Sequence, residues 1–230
     1  MNFKDRLKKD SVSGDRPMER WTSPFMSDAF ESSQENSSSD VDNPVDNPNG
    51  VKTVADHLVL SRMKRVVAVS PEGDDASVYT VRLVRELADR GKRVLFIDMT
   101  AHGILGQAML ESNDHAGITE LLAGERRFND AIHADHFSRA HIMPLGKVNP
   151  ERAMRSAGRL PFILEALETI YDFVVLECGP STSSQIHCIV DALTAIIINI
   201  IEPDDESVAA AALDMDQSGY EDVIILMDAQ

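Results

Sequence analysis

Val66-Val67-Ala68-Val69-Ser70, then Pro71-Glu72-Gly73-Asp74-Asp75-Ala76, then a run opening at Ser77: this stretch decides the fold. The apolar β-branched segment reads as a strand. A short loop with one glycine follows. Val81, Val84, Leu87 and Ala88 then share one face of a helix read over 77–90. Strand, tight loop and helix make the frame in which backbone N–H groups and a helix N-terminus receive a phosphate. The working motif continues with a second glycine, a lysine, and a serine or threonine. Asp75, Ala76 and Ser77 stand in those places here. The reading is a nucleotide-hydrolase frame whose phosphate site is disabled or turned to another use.

Composition narrows the partners. A chain of 230 residues suits one domain with an appendage. Its formal charge of −16 speaks against a nucleic-acid binder, which needs clustered Lys and Arg. It also speaks against adsorption to an anionic membrane. Cys178 and Cys188 make no disulfide framework and match no zinc spacing, so a reduced, cytoplasmic compartment is expected. No apolar run reaches spanning length, and the N-terminus is polar, without a secretory signal. Met1 and that polar start favour a free-standing product. Direct membrane insertion is not expected; work at a membrane requires a partner.

Residues 1–50 are expected to form a disordered acidic tail rich in Ser, Asn and Pro, and 51–230 the folded domain. The tail carries the tandem Val41-Asp42-Asn43-Pro44 and Val45-Asp46-Asn47-Pro48. It reads as a solvated segment, or as a linear motif docking through Trp21, Phe25, Met26 and Phe30. Beyond a lead-in helix over 51–63, strands are expected at 66–70, 94–97, 141–143, 173–176, 195–201 and 223–226. Helical stretches are expected at 77–90, 118–123, 128–134, 150–156, 160–169 and 204–217, with 103–110 irregular or briefly helical. Continuous apolar strands imply cover on both faces. The class is α/β, P-loop NTPase-like: a mostly parallel sheet with helices on both faces. Right-handed crossovers bring strand C-termini to one edge, where Ser70, Asp98 and Glu177 converge.

Four further segments carry a family resemblance. These are Gly91-Lys92-Arg93-Val94-Leu95-Phe96-Ile97-Asp98 and Gly117-Ile118-Thr119-Glu120-Leu121-Leu122-Ala123-Gly124-Glu125 with Asp130-Ala131-Ile132. Next come His141-Ile142-Met143-Pro144-Leu145-Gly146 with Asn149-Pro150, and Tyr171-Asp172-Phe173-Val174-Val175-Leu176-Glu177-Cys178-Gly179-Pro180. In this order the chain resembles the cytoplasmic ATPase and tyrosine-kinase domain of bacterial exopolysaccharide (capsule) co-polymerases, relatives of the MinD-type ATPases. The resemblance implies a nucleotide site over Gly73, Asp74, Asp75, Ala76, Ser77, Asp98 and Glu177. It implies magnesium handling by Ser77, Asp98 and Glu177.

The departures from that pattern bear on activity. Ala76 replaces the lysine, Asp75 a glycine, Thr100 a second aspartate, and Glu177 the Walker B aspartate. The resemblance implies a tyrosine-rich tail as phosphorylation target, whereas Tyr79, Tyr171 and Tyr220 all fall within the expected fold, so such a tail is not expected here. A carboxylate about 4 Å from a phosphate charge, at an effective dielectric near 20, costs roughly 4 kcal/mol before screening. Glu72, Asp74 and Asp75 crowd this loop. No catalytic residue and no cofactor are therefore expected; ATP or ADP with Mg bind only if the site still functions. A rival reading makes Asp74, Asp75, Asp98 and Glu177 a divalent-cation site. Cys178 reads as a buried inert thiol rather than a reactive one. His133 and His136 read as surface residues.

The resulting expectation is a non-catalytic or impaired regulator of exopolysaccharide biosynthesis or export, acting by protein–protein contact. Its partners would be a membrane component or active paralogue of the export system, with homo-oligomers in view and recruitment to the inner membrane. The alternatives are an active ATP-binding kinase or ATPase of chain-length control, and a MinD-like pseudo-ATPase adaptor for polar localisation or pilus assembly.

Overall fold

The computed structural model describes residues 47–110, 114–148, 150–220 and 222–227, all within the unit Val45–Gln230. The expected tail up to residue 46, with its aromatic motif, lies outside the described residues. Asn47 and Asn49, assigned to the tail by composition, are tied to the domain instead. The Asn47 amide donates to the Met227 carbonyl at 3.1 Å, and Met227 N–H to the Asn49 carbonyl at 2.9 Å.

Helix α1 (Val51–Leu60) leads into β1 (Arg65–Val69), α2 (Asp74–Asp89) and β2 (Val94–Asp98). Short helices α3 (Ile104–Met109), α4 (Ile118–Ala123) and α5 (Phe128–Ala131) follow. Then come β3 (His133–Ala134), β4 (His141–Met143), α6 (Pro150–Met154), α7 (Leu160–Glu168) and β5 (Phe173–Glu177). The chain closes with α8 (Ser183–Ile186), β6 (Thr194–Asn199), α9 (Glu206–Gln217) and β7 (Val223–Leu226).

The strands form one sheet in the order β3-β4-β2-β5-β1-β6-β7. Every pairing is parallel except β3 with β4. Side-chain alternation divides the core in two. Val67, Val69, Ile97, Leu176 and Ile198 meet α4, α7 and α9 on one face. Val66, Ala68, Phe96, Val175 and Ile197 meet α1, α2 and α3 on the other. The expected α/β class holds. Among the described residues no helix is long and apolar enough to cross a membrane.

Three local expectations need correction. Helix α2 opens at Asp74, not Ser77. Gly73 is its N-cap at φ 84°, a conformation that disfavours any side chain, and Asp74 and Asp75 place carboxylates in the first turn, where the helix dipole favours them. The helix expected over 128–134 stops at Ala131, and His133–Ala134 turns into an antiparallel edge strand. Helix α8 and a 3-10 turn at Ala157–Arg159 were unforeseen, being too short to show periodicity.

Candidate functional site

Beyond the apolar strand positions on the α2 side, four neighbouring strands end in a polar residue. Asp98 ends β2, Glu177 ends β5, Ser70 follows β1, and Asn199 ends β6. Asp98 and Glu177 are register partners, and the pairing of Val69 with Ile198 brings Ser70 and Asn199 side by side. The sheet order β2-β5-β1-β6 thus lays a polar row beneath the N-terminus of α2. All four side chains are buried.

The Glu177 carboxylate is the centre of the row. Its Oε1 accepts from Ser70 Oγ at 2.8 Å, Ser77 Oγ at 3.0 Å and the Gly179 N–H at 2.9 Å. Its Oε2 accepts from Thr80 Oγ1 at 2.5 Å and Asn199 Nδ2 at 3.1 Å. Asn199 Nδ2 also reaches Ser70 Oγ at 2.8 Å and Thr80 Oγ1 at 2.7 Å, while its Oδ1 is buried with no partner among the described residues. Burial pushes the Glu177 carboxyl up to about 7 against the opposing pull of these donors. Side-chain length matters here. An aspartate is shorter by one C–C bond, about 1.5 Å, and would stop short of both Ser77 and Thr80.

Asp98 is held separately. Its Oδ1 accepts from the Thr100 N–H at 3.0 Å and Thr100 Oγ1 at 2.6 Å, and its Oδ2 from the Gly106 N–H at 2.7 Å. A Cβ at Gly106 would lie 2.9 Å from Pro144 Cβ and 3.3 Å from Asp98 Oδ2, so α3 can approach this closely only through glycine. Burial raises the Asp98 carboxyl above its ordinary value, and nearby Asp74 adds to the rise.

The loop itself is closed on its own backbone. The Gly73 N–H donates to the Ser70 carbonyl at 3.0 Å, and Ser77 Oγ also reaches the Gly73 carbonyl at 3.2 Å. Ala76 is fully buried, Asp74 half-buried and Asp75 exposed. Glu72 was expected to crowd a phosphate. It turns instead to the segment after β6, accepting from the Ile201 N–H at 2.6 Å and the Glu202 N–H at 2.9 Å.

The expected residues therefore fall into three groups. Ser77 and Glu177 are in direct contact. Asp98 is a register partner of Glu177, with its oxygens committed to α3 and Thr100. Gly73, Asp74, Asp75 and Ala76 build the cap and first turn of α2. Among the described residues no group of three His, Cys, Asp or Glu side chains is placed to hold a metal ion. Sequence reading missed Thr80 and Asn199. Thr80 stands three positions after Ser77 on the buried face of α2, and Asn199 interrupts a run of isoleucines; both were visible signals. Cys178 is half-buried and its thiol is pushed well up by burial, which disfavours the reactive thiolate. His133 is a correction: it is half-buried, with Nε2 2.9 Å from the Ala116 carbonyl and its ring 4.5 Å from that of His115.

The resembling segments meet in space through Glu120. Its carboxylate accepts from the Gly117 N–H at 2.8 Å, the Lys147 N–H at 2.7 Å and the Val148 N–H at 3.1 Å. One side chain thus joins the segment at 117–124 to that at 141–148.

The profile of the AAA domain family matches residues 73–209, from the cap of α2 into α9. The chain belongs to the AAA domain family. It is 28% identical over 130 residues to tyrosine-protein kinase CpsD of Streptococcus agalactiae serotype III (strain NEM316), a match covering 56% of this chain and 53% of that protein. The chain thus spans about half the length of the curated relatives it matches. Among solved structures it is similar to the kinase domain of Escherichia coli tyrosine kinase ETK, at 18% identity and TM-score 0.64, covering 86% of this chain and 83% of that one. It is also similar to the cell division ATPase MinD of Pyrococcus furiosus, at 22% identity and TM-score 0.51, covering 72% and 70%. At these identities the likeness to the structures is one of fold. The resemblance to the capsule co-polymerase kinase domains stands, and the likeness to MinD is one of fold.

Proposed function

We propose that this chain is a non-catalytic or impaired P-loop NTPase-like regulator of exopolysaccharide biosynthesis or export, acting by protein–protein contact. The kinship to CpsD supports the polysaccharide setting. One observation carries this reading: the position that the family pattern gives to lysine is a fully buried Ala76, which brings no cation to the loop. Two others support it. The Gly73 N–H is turned inward to Ser70, and Asp75 stands in the place of a glycine. Phosphoryl transfer rests on positioning and charge neutralisation, and these residues offer neither a cation nor a free loop amide at Gly73. A nucleotide–magnesium pair does not fit an arrangement with no cation at the lysine position.

The partner in this reading is a membrane component or active paralogue of the export system, which brings the chain to the inner membrane, with residues 1–50 as the tether. Pull-down of such a paralogue should be lost on truncating residues 1–46, which spares Asn47 and Asn49, while the domain keeps its unfolding transition; unchanged capture would remove the tether. ATP turnover and tyrosine phosphorylation should be absent from the purified chain. Turnover that copurifies with it and disappears in a Ser77→Ala, Asp98→Ala double variant would overturn the reading.

A second reading, an active kinase or ATPase, is favoured by Ser77 and Asp98 standing at their family positions. It requires a cation to come from elsewhere, since Ala76 supplies none. Stoichiometric MgATP binding separates the two.

A further inference from the structure

At the sheet edge opposite the phosphate loop, three strand entries converge. Lys92 and Arg93 lead into β2, Arg139 precedes β4, and Ile170 and Tyr171 precede β5. Two cavities meet there and share His141, Ile170 and Tyr171. One, of about 540 Å³, is walled by Phe128, Ile132 and Leu167. The other, of about 280 Å³, is edged by Lys92, Arg93 and Arg139. The first is of ordinary size for a small-molecule site.

The charges are unequally satisfied. Arg93 is neutralised by Asp172 at 2.9 Å. Neither Lys92 nor Arg139 has an ion pair among the described residues. Lys92 acts on Asp172 through space without a direct ion pair, and the smaller cavity is lined by Lys92, Arg93 and Arg139 with no acidic side chain, a cationic edge in a chain of net charge −16. At the junction of the halves, buried Tyr171 has its hydroxyl 2.7 Å from His141 Nδ1, with the rings edge to face. This contact fixes the position of both rings between the apolar and the cationic half. Ile170, 56% exposed, offers apolar surface that an occupant would cover.

We propose that this double cavity binds a small amphipathic anion, its apolar body between Ile132 and Ile170 and its charged group beside Lys92 and Arg139. The site is independent of the phosphate loop and of the function proposed above.

The probe is 1-naphthyl phosphate, titrated into the full chain and followed by amide chemical shifts. Saturable binding is expected, with shifts at Ile170, Tyr171 and His141. Inorganic phosphate and 1-naphthol should each bind more weakly. A Lys92→Ala, Arg139→Ala double variant removes the charge, and Ala166→Trp fills the apolar half from an exposed position of α7. Each should weaken the probe by about tenfold or more with the unfolding midpoint unchanged. Equal binding in both variants, shifts confined to the Ser77 edge, or no saturation by millimolar probe would overturn the proposal.

Discussion

Ser77 Oγ lies 3.0 Å from Glu177 Oε1, so the hydroxyl opening the second turn of α2 is bound directly to the carboxylate ending β5. The contact depends on a glutamate. One methylene carries its carboxylate up to the helix, where it also takes Thr80 at 2.5 Å.

Removing that carboxylate should cost stability. Glu177→Ala leaves Ser70, Ser77, Thr80, Asn199 and the Gly179 N–H facing an empty, buried space. A loss of about 3 kcal/mol is expected in urea unfolding. Glu177→Gln keeps the shape and should lose less than half of that.

Stability should also depend on pH in a direction that isolates Glu177. Its carboxyl is raised from an ordinary 4.5 to about 7 in the folded chain, so between those values the folded state holds more proton than the unfolded one. Stability from this group is full below pH 4.5 and falls as pH rises to about 7, by up to about 1.4 kcal/mol per unit. Asp98, also raised, acts in the same sense. Glu120 and Asp135 act oppositely. Burial works to raise both, but backbone donors at Glu120 and the Arg85 and Ser138 hydrogen bonds at Asp135 outweigh it. Their contribution is present above the ordinary carboxylate range and lost on acidification. Unfolding midpoints measured from pH 4 to 8 should therefore decline more steeply with rising pH in the wild type than in Glu177→Gln. Parallel curves would show that Glu177 does not titrate in this window.

Glu72 should hold the segment after β6. Its carboxylate receives the amides of Ile201 and Glu202 at 2.6 and 2.9 Å. In Glu72→Ala, hydrogen exchange at those two amides should speed up by about tenfold, the loss of roughly 1.4 kcal/mol of local protection. Exchange at Ile197 and Ile198 in the strand should stay unchanged.

Gly146 should tolerate no side chain. Its φ is 89°, and a Cβ there would fall 1.9 Å from Glu120 Oε2, in the middle of the carboxylate that joins the segments at 117 and 147. Gly146→Ala is expected to destabilise by more than about 2 kcal/mol in urea. A near-neutral result would mean that Glu120 is not needed to join them.

Much of this was readable before any coordinates. The strands were plain because both faces are covered, which leaves them as unbroken apolar runs such as Val66-Val67-Ala68-Val69. The convergence of Ser70, Asp98 and Glu177 followed from strand ends alone. What could not be read was direction. Glu72 looks like one more repelling charge in a list of loop residues, yet it points away to Ile201. Thr80 and Asn199 lie 119 residues apart and meet only through the sheet order that sets β6 beside β1. The start of α2 was misplaced because two aspartates beside a glycine read as a loop, although their carboxylates suit a first turn.

The most direct test of a closed phosphate site is calorimetric titration of the purified chain with ATP, with and without magnesium. The account predicts no saturable heat and no thermal shift at millimolar nucleotide, unchanged in Ser77→Ala. Micromolar binding that requires magnesium and is lost in Ser77→Ala would contradict it, because the loop would then still hold a nucleotide and its ion.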